Sequence, residues 1–123
     1  MKFDAREHKE FFDDIKEEGY HIFSRQKAKT PGFYPNAFPT YPKIDILEIK
    51  ENDVITIRAF FALSKNASPQ IDGGHIDLEV EYVDQEAKTL FGNIITELPA
   101  TFALSKGTSI ELNLDEILFV HAR

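Results

Sequence analysis

His75-Ile76-Asp77-Leu78-Glu79-Val80-Glu81-Tyr82 is the stretch on which the fold turns. Ile76, Leu78, Val80 and Tyr82 alternate with Asp77, Glu79 and Glu81. A period of two puts the first set on one face of a strand and the carboxylates on the other. That is the pattern of an antiparallel sheet with one packed and one wet face. The strand is expected over 75–83, entered by a hairpin turn at Asp72-Gly73-Gly74.

Runs of the same kind flank it. Upstream, Ile55, Ile57, Ala59, Phe61 and Leu63 share one face of a strand over 54–63, with Thr56 and Arg58 on the other. A strand over 44–50 precedes it, joined by a tight turn at Glu51-Asn52-Asp53. Downstream, Asp84 to Lys88 turns the chain into a strand over 89–96. Lys106-Gly107 leads into a strand over 108–114, where Ile110, Leu112 and Leu114 point inward. Asp115 is placed to cap a short turn, and Leu118-Phe119-Val120 closes the chain. Each strand has a single apolar face, and the short turns favour a meander over helical crossovers.

Before the strands the period changes. Ala5, His8, Phe12 and Ile15, with Phe11 beside them, recur at helical spacing over 4–18. Asp4 and Glu7 make a capping-box-like start, and Gly19 is a natural left-handed stop. Glu10, Asp14 and Glu17 fall on the outer face, and Glu17 and Glu18 lie at the unfavourable end of the helix dipole. His21-Ile22-Phe23 reads as a short edge strand. The expected fold is therefore α+β: one N-terminal helix on a curved, mainly antiparallel sheet of five to six strands, or a partly open barrel, in a single domain over 1–123.

One segment fits neither period. Lys27 to Lys43 reads KAKTPGFYPNAFPTYPK. Its prolines exclude a helix or a central strand, and its aromatics argue against simple disorder. A long irregular segment in a small domain is either functional or packed down as a cover. Lys27, Lys29, Phe33, Tyr34, Phe38 and Tyr41 are its candidate contact residues, suited to stacking and phosphate neutralisation or to docking a partner. Phe61-Ala62-Leu63-Ser64-Lys65 also recurs as Phe102-Ala103-Leu104-Ser105-Lys106, by duplication or by coincidence.

The composition narrows the chemistry. The chain has 123 residues, no cysteine and a net charge of −7. Thiolate nucleophiles, disulfides and zinc-thiolate sites are excluded. The four histidines, His8, His21, His75 and His121, show no ligand spacing on one element, and no metal or other cofactor is expected. No phosphate loop or nucleophile elbow is present. An enzyme would have to assemble its site from scattered residues such as Asp72, His75 and Tyr41. Met1 to Glu7 lacks an apolar signal region, and no apolar run reaches membrane-span length, so a cytoplasmic protein is expected.

His75 to Val80, Gly92-Asn93-Ile94-Ile95 with Leu98-Pro99, and Leu104-Ser105-Lys106-Gly107 followed by Ile110, Leu112 and Asp115-Glu116-Ile117 share one cadence. In it the C-terminal half resembles an uncharacterised bacterial family of small β-rich domains. Ile76 and Leu78 stand where that family carries an aromatic residue. The resemblance implies a fold and no activity.

Between Tyr20 and Lys43 lie Arg25, Lys27, Lys29 and Lys43 and no acid, so the acidic excess is concentrated elsewhere. Acidic rows on the helix (Glu10, Asp14, Glu17) and on the third strand (Asp77, Glu79, Glu81) suit a basic protein partner, and the overall charge disfavours nucleic acid. The expected function is that of a non-enzymatic acidic binding domain, of the immunity or antitoxin kind. A small-ligand or nucleic-acid binder using 27–43 is the alternative, and exposed sheet edges leave a homodimer open.

Overall fold

Phe11, Phe12 and Ile15 recur at helical spacing and are all buried, and they seat helix α1, Lys9–Glu18, on the sheet. The helix stops at Gly19, whose φ of 82° is left-handed and whose N–H reaches the Ile15 carbonyl at 2.8 Å. The computed structural model describes residues 8–34, 41, 43–62, 71–99 and 102–121. Asp4 and Glu7, assigned above to the start of the helix, lie outside the described residues, as do Leu63 and Phe38.

The chain then forms β1 (Tyr20–Ile22), a single helical turn α2 (Arg25–Ala28), β2 (Val54–Ala62), β3 (Ile71–Asp84), β4 (Thr89–Ile94), β5 (Ser109–Asn113) and β6 (Phe119–Val120). All pairings are antiparallel, in the order β1-β2-β3-β4-β5, and the sheet curls into a half-barrel. β6 joins the same edge of β2 as β1: it takes Ile55 and Thr56, and β1 takes Ala59 to Phe61. No helix among the described residues is long and apolar enough to cross a membrane.

Three sequence expectations need correction. Residues 44–50 are not a strand. Ile46–Glu48 form a 3-10 turn capped by the Asp45 carboxylate, which accepts from Leu47 N at 3.0 Å. Ile46 and Ile49 are buried three residues apart, which suits that turn, while Leu47 stays 64% exposed. Asp72-Gly73-Gly74 is not a turn either, because β3 runs straight through it. Gly73 lies opposite Phe60, whose ring covers it so closely that a Cβ there would come within 2.8 Å of the ring. Finally, β2 is buried on both faces, since Phe60 is only 2% exposed on the side opposite Ile55, Ile57, Ala59 and Phe61.

Two cores follow from that double burial. The half-barrel interior is filled by β2 with Ile76, Leu78 and Val80 of β3, Leu90 and Ile94 of β4, and Leu112 of β5. The outer core lies under α1, where Phe11 is the hub. Its ring meets those of Phe12, His21, Tyr34 and Phe60 edge-on at 5.3–5.6 Å between centroids. Edge-to-face aromatic pairs of this kind add about 0.5–1.5 kcal/mol each beyond the area they bury. The repeated Phe-Ala pairs adopt different backbones: Phe61 lies in β2 and Phe102 in a bend. Their rings stack at 4.2 Å.

Candidate protein-binding site

The acidic face of β3 is interrupted by a bulge. The pairing of β3 with β4 shifts between Val80 and Tyr82, leaving Glu81 as the additional residue. A bulge moves each following side chain to the opposite face. Tyr82, expected inside with Val80, therefore points outward and is 54% exposed, while Val83 takes the inward place against Leu90. Directly across the ladder from Tyr82 is Phe91, 41% exposed, and across from Phe91 on β5 is Glu111. Side chains so paired lie about 4.5–5.5 Å apart at Cβ. Glu79 occupies the neighbouring row opposite Asn93, and Glu81 accepts a hydrogen bond from the Ser109 hydroxyl. Two exposed rings thus stand among Glu79, Glu81 and Glu111.

Asp77 lies further along the same strand and is bound to its neighbours. Its carboxylate accepts from the Thr56 hydroxyl at 2.7 Å, and Thr56 also meets Nε2 of His121 at 2.6 Å. Of the three helix acids, Glu10 and Glu17 are exposed on α1, whereas Asp14 turns toward β1. Asp14 lines a groove whose walls do not include Asp77, Glu79 or Glu81.

That groove, of about 810 Å³, separates the two ends of the sheet order. One wall carries Asp14, Glu18, Tyr20, His21, Ile22 and Lys27; the other carries Lys88, Glu111, Asn113, Asp115 and Glu116. The carboxylates outnumber the two lysines. Burial pushes the Glu116 carboxyl above its ordinary range, opposed by the Asn113 N–H that it accepts at 2.7 Å. At one end, Arg25 donates to the carbonyls of Leu114, Asp115 and Leu118, fastening α2 to the 3-10 turn Leu114–Glu116. Asp115 lies within that turn, and the cap position belongs to Asn113.

Behind the groove wall runs a hydrogen-bond chain. The Ser24 amide can only donate, so the Tyr34 oxygen accepts from it at 3.0 Å. The Tyr34 hydroxyl then donates to His21 Nε2 at 2.7 Å, and His21 Nδ1–H donates to Asp14 at 3.2 Å. Burial pushes the His21 pKa down to about 4, against the pull of Asp14, which keeps the ring neutral and fixes this tautomer. Both ring nitrogens are occupied, and burial pushes the Tyr34 phenol up, so the chain holds the loop to the sheet and presents neither a free base nor a nucleophile.

The expected loop contacts divide accordingly. Phe33 and Tyr34 are buried in the outer core. Lys27 lies 3.5 Å from Asp14 and 5.0 Å from the centre of the Phe33 ring. Tyr41 packs edge-on against Phe23 and Phe119. Lys29 is exposed. Asp72 and His75 are three residues apart on one strand and so face opposite sides; that pair does not assemble. Among the described residues, no three His, Asp or Glu side chains converge to hold a metal ion.

Comparison with family models, curated proteins and solved structures gives no match in any of the three. The site is therefore read from its own residues. Sequence reasoning missed Phe91 and Glu111, which stand on β4 and β5 faces opposite the inward Leu90 and Leu112. Their odd positions in those two strands were the available signal.

Proposed function

We propose that this chain is a non-catalytic binding domain that docks a basic protein through the outer face of β3, β4 and β5, as an immunity or antitoxin protein would. The supporting observation is the exposed Tyr82–Phe91 pair, turned outward by the bulge and set among Glu79, Glu81 and Glu111. Aromatic anchors supply much of the energy of protein interfaces, and a surrounding rim of one charge steers the partner and raises the association rate. The net charge of −7 acts in the same direction at longer range.

The test uses tagged protein in native lysate at low and high salt, with Tyr82→Ser/Phe91→Ser and Glu79→Lys/Glu81→Lys variants alongside. A basic protein retained at low salt, released at high salt and lost with the aromatic pair supports the reading. With that partner purified, the charge reversals should slow association roughly tenfold or more. An unchanged association rate, or retention that ignores both variants, overturns it.

A further inference from the structure

The half-barrel is open between β1 and β5, and both edges aim main-chain groups into the groove. On β1, the Phe23 N–H bonds the Arg58 carbonyl at 2.8 Å and the Gly19 carbonyl accepts from Ala62, so Gly19, His21 and Phe23 face β2. By the alternation of an antiparallel ladder, the N–H and C=O groups of Tyr20 and Ile22 face the opposite way. On β5, the Ile94 N–H bonds the Thr108 carbonyl and the Leu114 N–H bonds the Lys88 carbonyl, so the even-numbered residues face β4. Ser109 and Glu111 therefore turn their main-chain groups away from it, as Asn113 does its carbonyl, while the Asn113 N–H is held by Glu116. Tyr20, Ile22, Glu111 and Asn113 all line the groove, and β1 and β5 are not paired with each other among the described residues.

We propose that this groove receives an extended segment of the basic partner, which adds a strand and bridges the open side of the half-barrel. Main-chain hydrogen bonds supply affinity in such strand addition, and alternate side chains supply specificity. The occupant is a strand carrying Lys or Arg at alternate positions, because carboxylates stand on both walls: Asp14 and Glu18 on one, Glu111 and Asp115 on the other. β5 has five residues, so the inserted segment is of about that length, roughly 17 Å. The inference rests on the basic-partner reading above for the charge of the segment, and adds to it a second contact that meets the outer face at Glu111.

The probe is the acetylated, amidated peptide Lys-Val-Lys-Val-Lys-Val-Lys, compared with the same peptide N-methylated on its valines and with a Glu-for-Lys version. Binding is followed by amide chemical shifts and hydrogen exchange of the full chain. The expected result is slowed exchange at Tyr20, Ile22 and Glu111, at least tenfold weaker binding after N-methylation, and none for the Glu peptide. Tyr82→Ser/Phe91→Ser should leave peptide affinity unchanged. Absence of binding, or equal affinity of the N-methylated peptide, overturns the strand insertion. Shifts centred on Tyr82 and Phe91 also overturn it, yet leave the outer-face reading standing. Groove binding by the peptide, with partner capture insensitive to the aromatic pair, fails the outer face alone.

Discussion

Nε2 of His21 lies 2.7 Å from the Tyr34 hydroxyl, joining the edge strand β1 to the irregular segment that follows it. The pair is buried, and its polar atoms are satisfied in sequence from the Ser24 amide to the Asp14 carboxylate. The arrangement works only with a neutral imidazole, and this gives the fold a pH dependence.

In the unfolded chain His21 takes its ordinary pKa of 6.5, whereas in the fold it is held at about 4. Between those values the unfolded chain binds a proton that the native one refuses. The stabilisation is complete above pH 6.5 and is lost as pH falls toward 4. It amounts to about 2 kcal/mol between pH 7.5 and 5 by the usual equivalence of pKa and free energy. Glu116 acts with the opposite sign, since its raised carboxyl favours the native state as it becomes protonated. Urea unfolding of wild type and His21→Gln at both pH values isolates the histidine, and the variant should lack this share of the loss. Tyr34→Phe, which strips a partner from both His21 and Ser24, should cost about 1–3 kcal/mol at pH 7.5.

Gly73 and Gly74 are adjacent in β3 but meet different surroundings. A Cβ on Gly73 would press into the Phe60 ring at 2.8 Å, whereas one on Gly74 meets nothing within 4 Å. Phe60 is 2% exposed, with the Phe11 ring edge-on to it at 5.4 Å and Tyr34 beside it at 6.4 Å. Gly73→Ala should destabilise the protein by about 1–3 kcal/mol, and Gly74→Ala should remain within about 0.5 kcal/mol of wild type. Thermal unfolding of the two single variants measures the contrast, and equal effects would contradict the covering role of Phe60.

Gly19 carries two separate constraints. Its left-handed φ of 82° disfavours any side chain, and a Cβ there would lie 2.8 Å from the Cβ of Ala103. Gly19→Ala should cost about 1–2 kcal/mol from the backbone alone, with the clash in addition. Ala103→Gly in the same chain should restore only the second part. A double-mutant cycle by urea denaturation separates them, and additive effects would show that the two sites do not touch.

Much of the fold was legible because local pattern and tertiary role agreed. Phe11, Phe12 and Ile15 marked α1, and the alternation from Ile76 to Val80 marked the core of β3. Misreadings arose where one residue served two contacts. Phe60 sits on the face of β2 that polar Thr56 and Arg58 suggested was wet, and α1 together with Phe33 and Tyr34 buries it. Gly73-Gly74 looked like a turn because turn grammar cannot reveal a ring lying across a strand. The site was the least legible part. The carboxylates were visible, but Tyr82 reaches the outer face only through a bulge, and no periodicity announces where a register will slip.

β1 and β6, far apart in the chain, both pair with β2 and lie side by side along one of its edges. During synthesis, that edge stays incomplete until Phe119 and Val120 have emerged from the ribosome. The central strand must wait, with Ile55 and Ile57 in place but its flank uncovered, for a segment more than sixty positions later. Such late, distant pairing slows folding and prolongs the exposure of an apolar edge. The nascent chain is therefore most prone to self-association just before β6 arrives, when a chaperone would have most to protect.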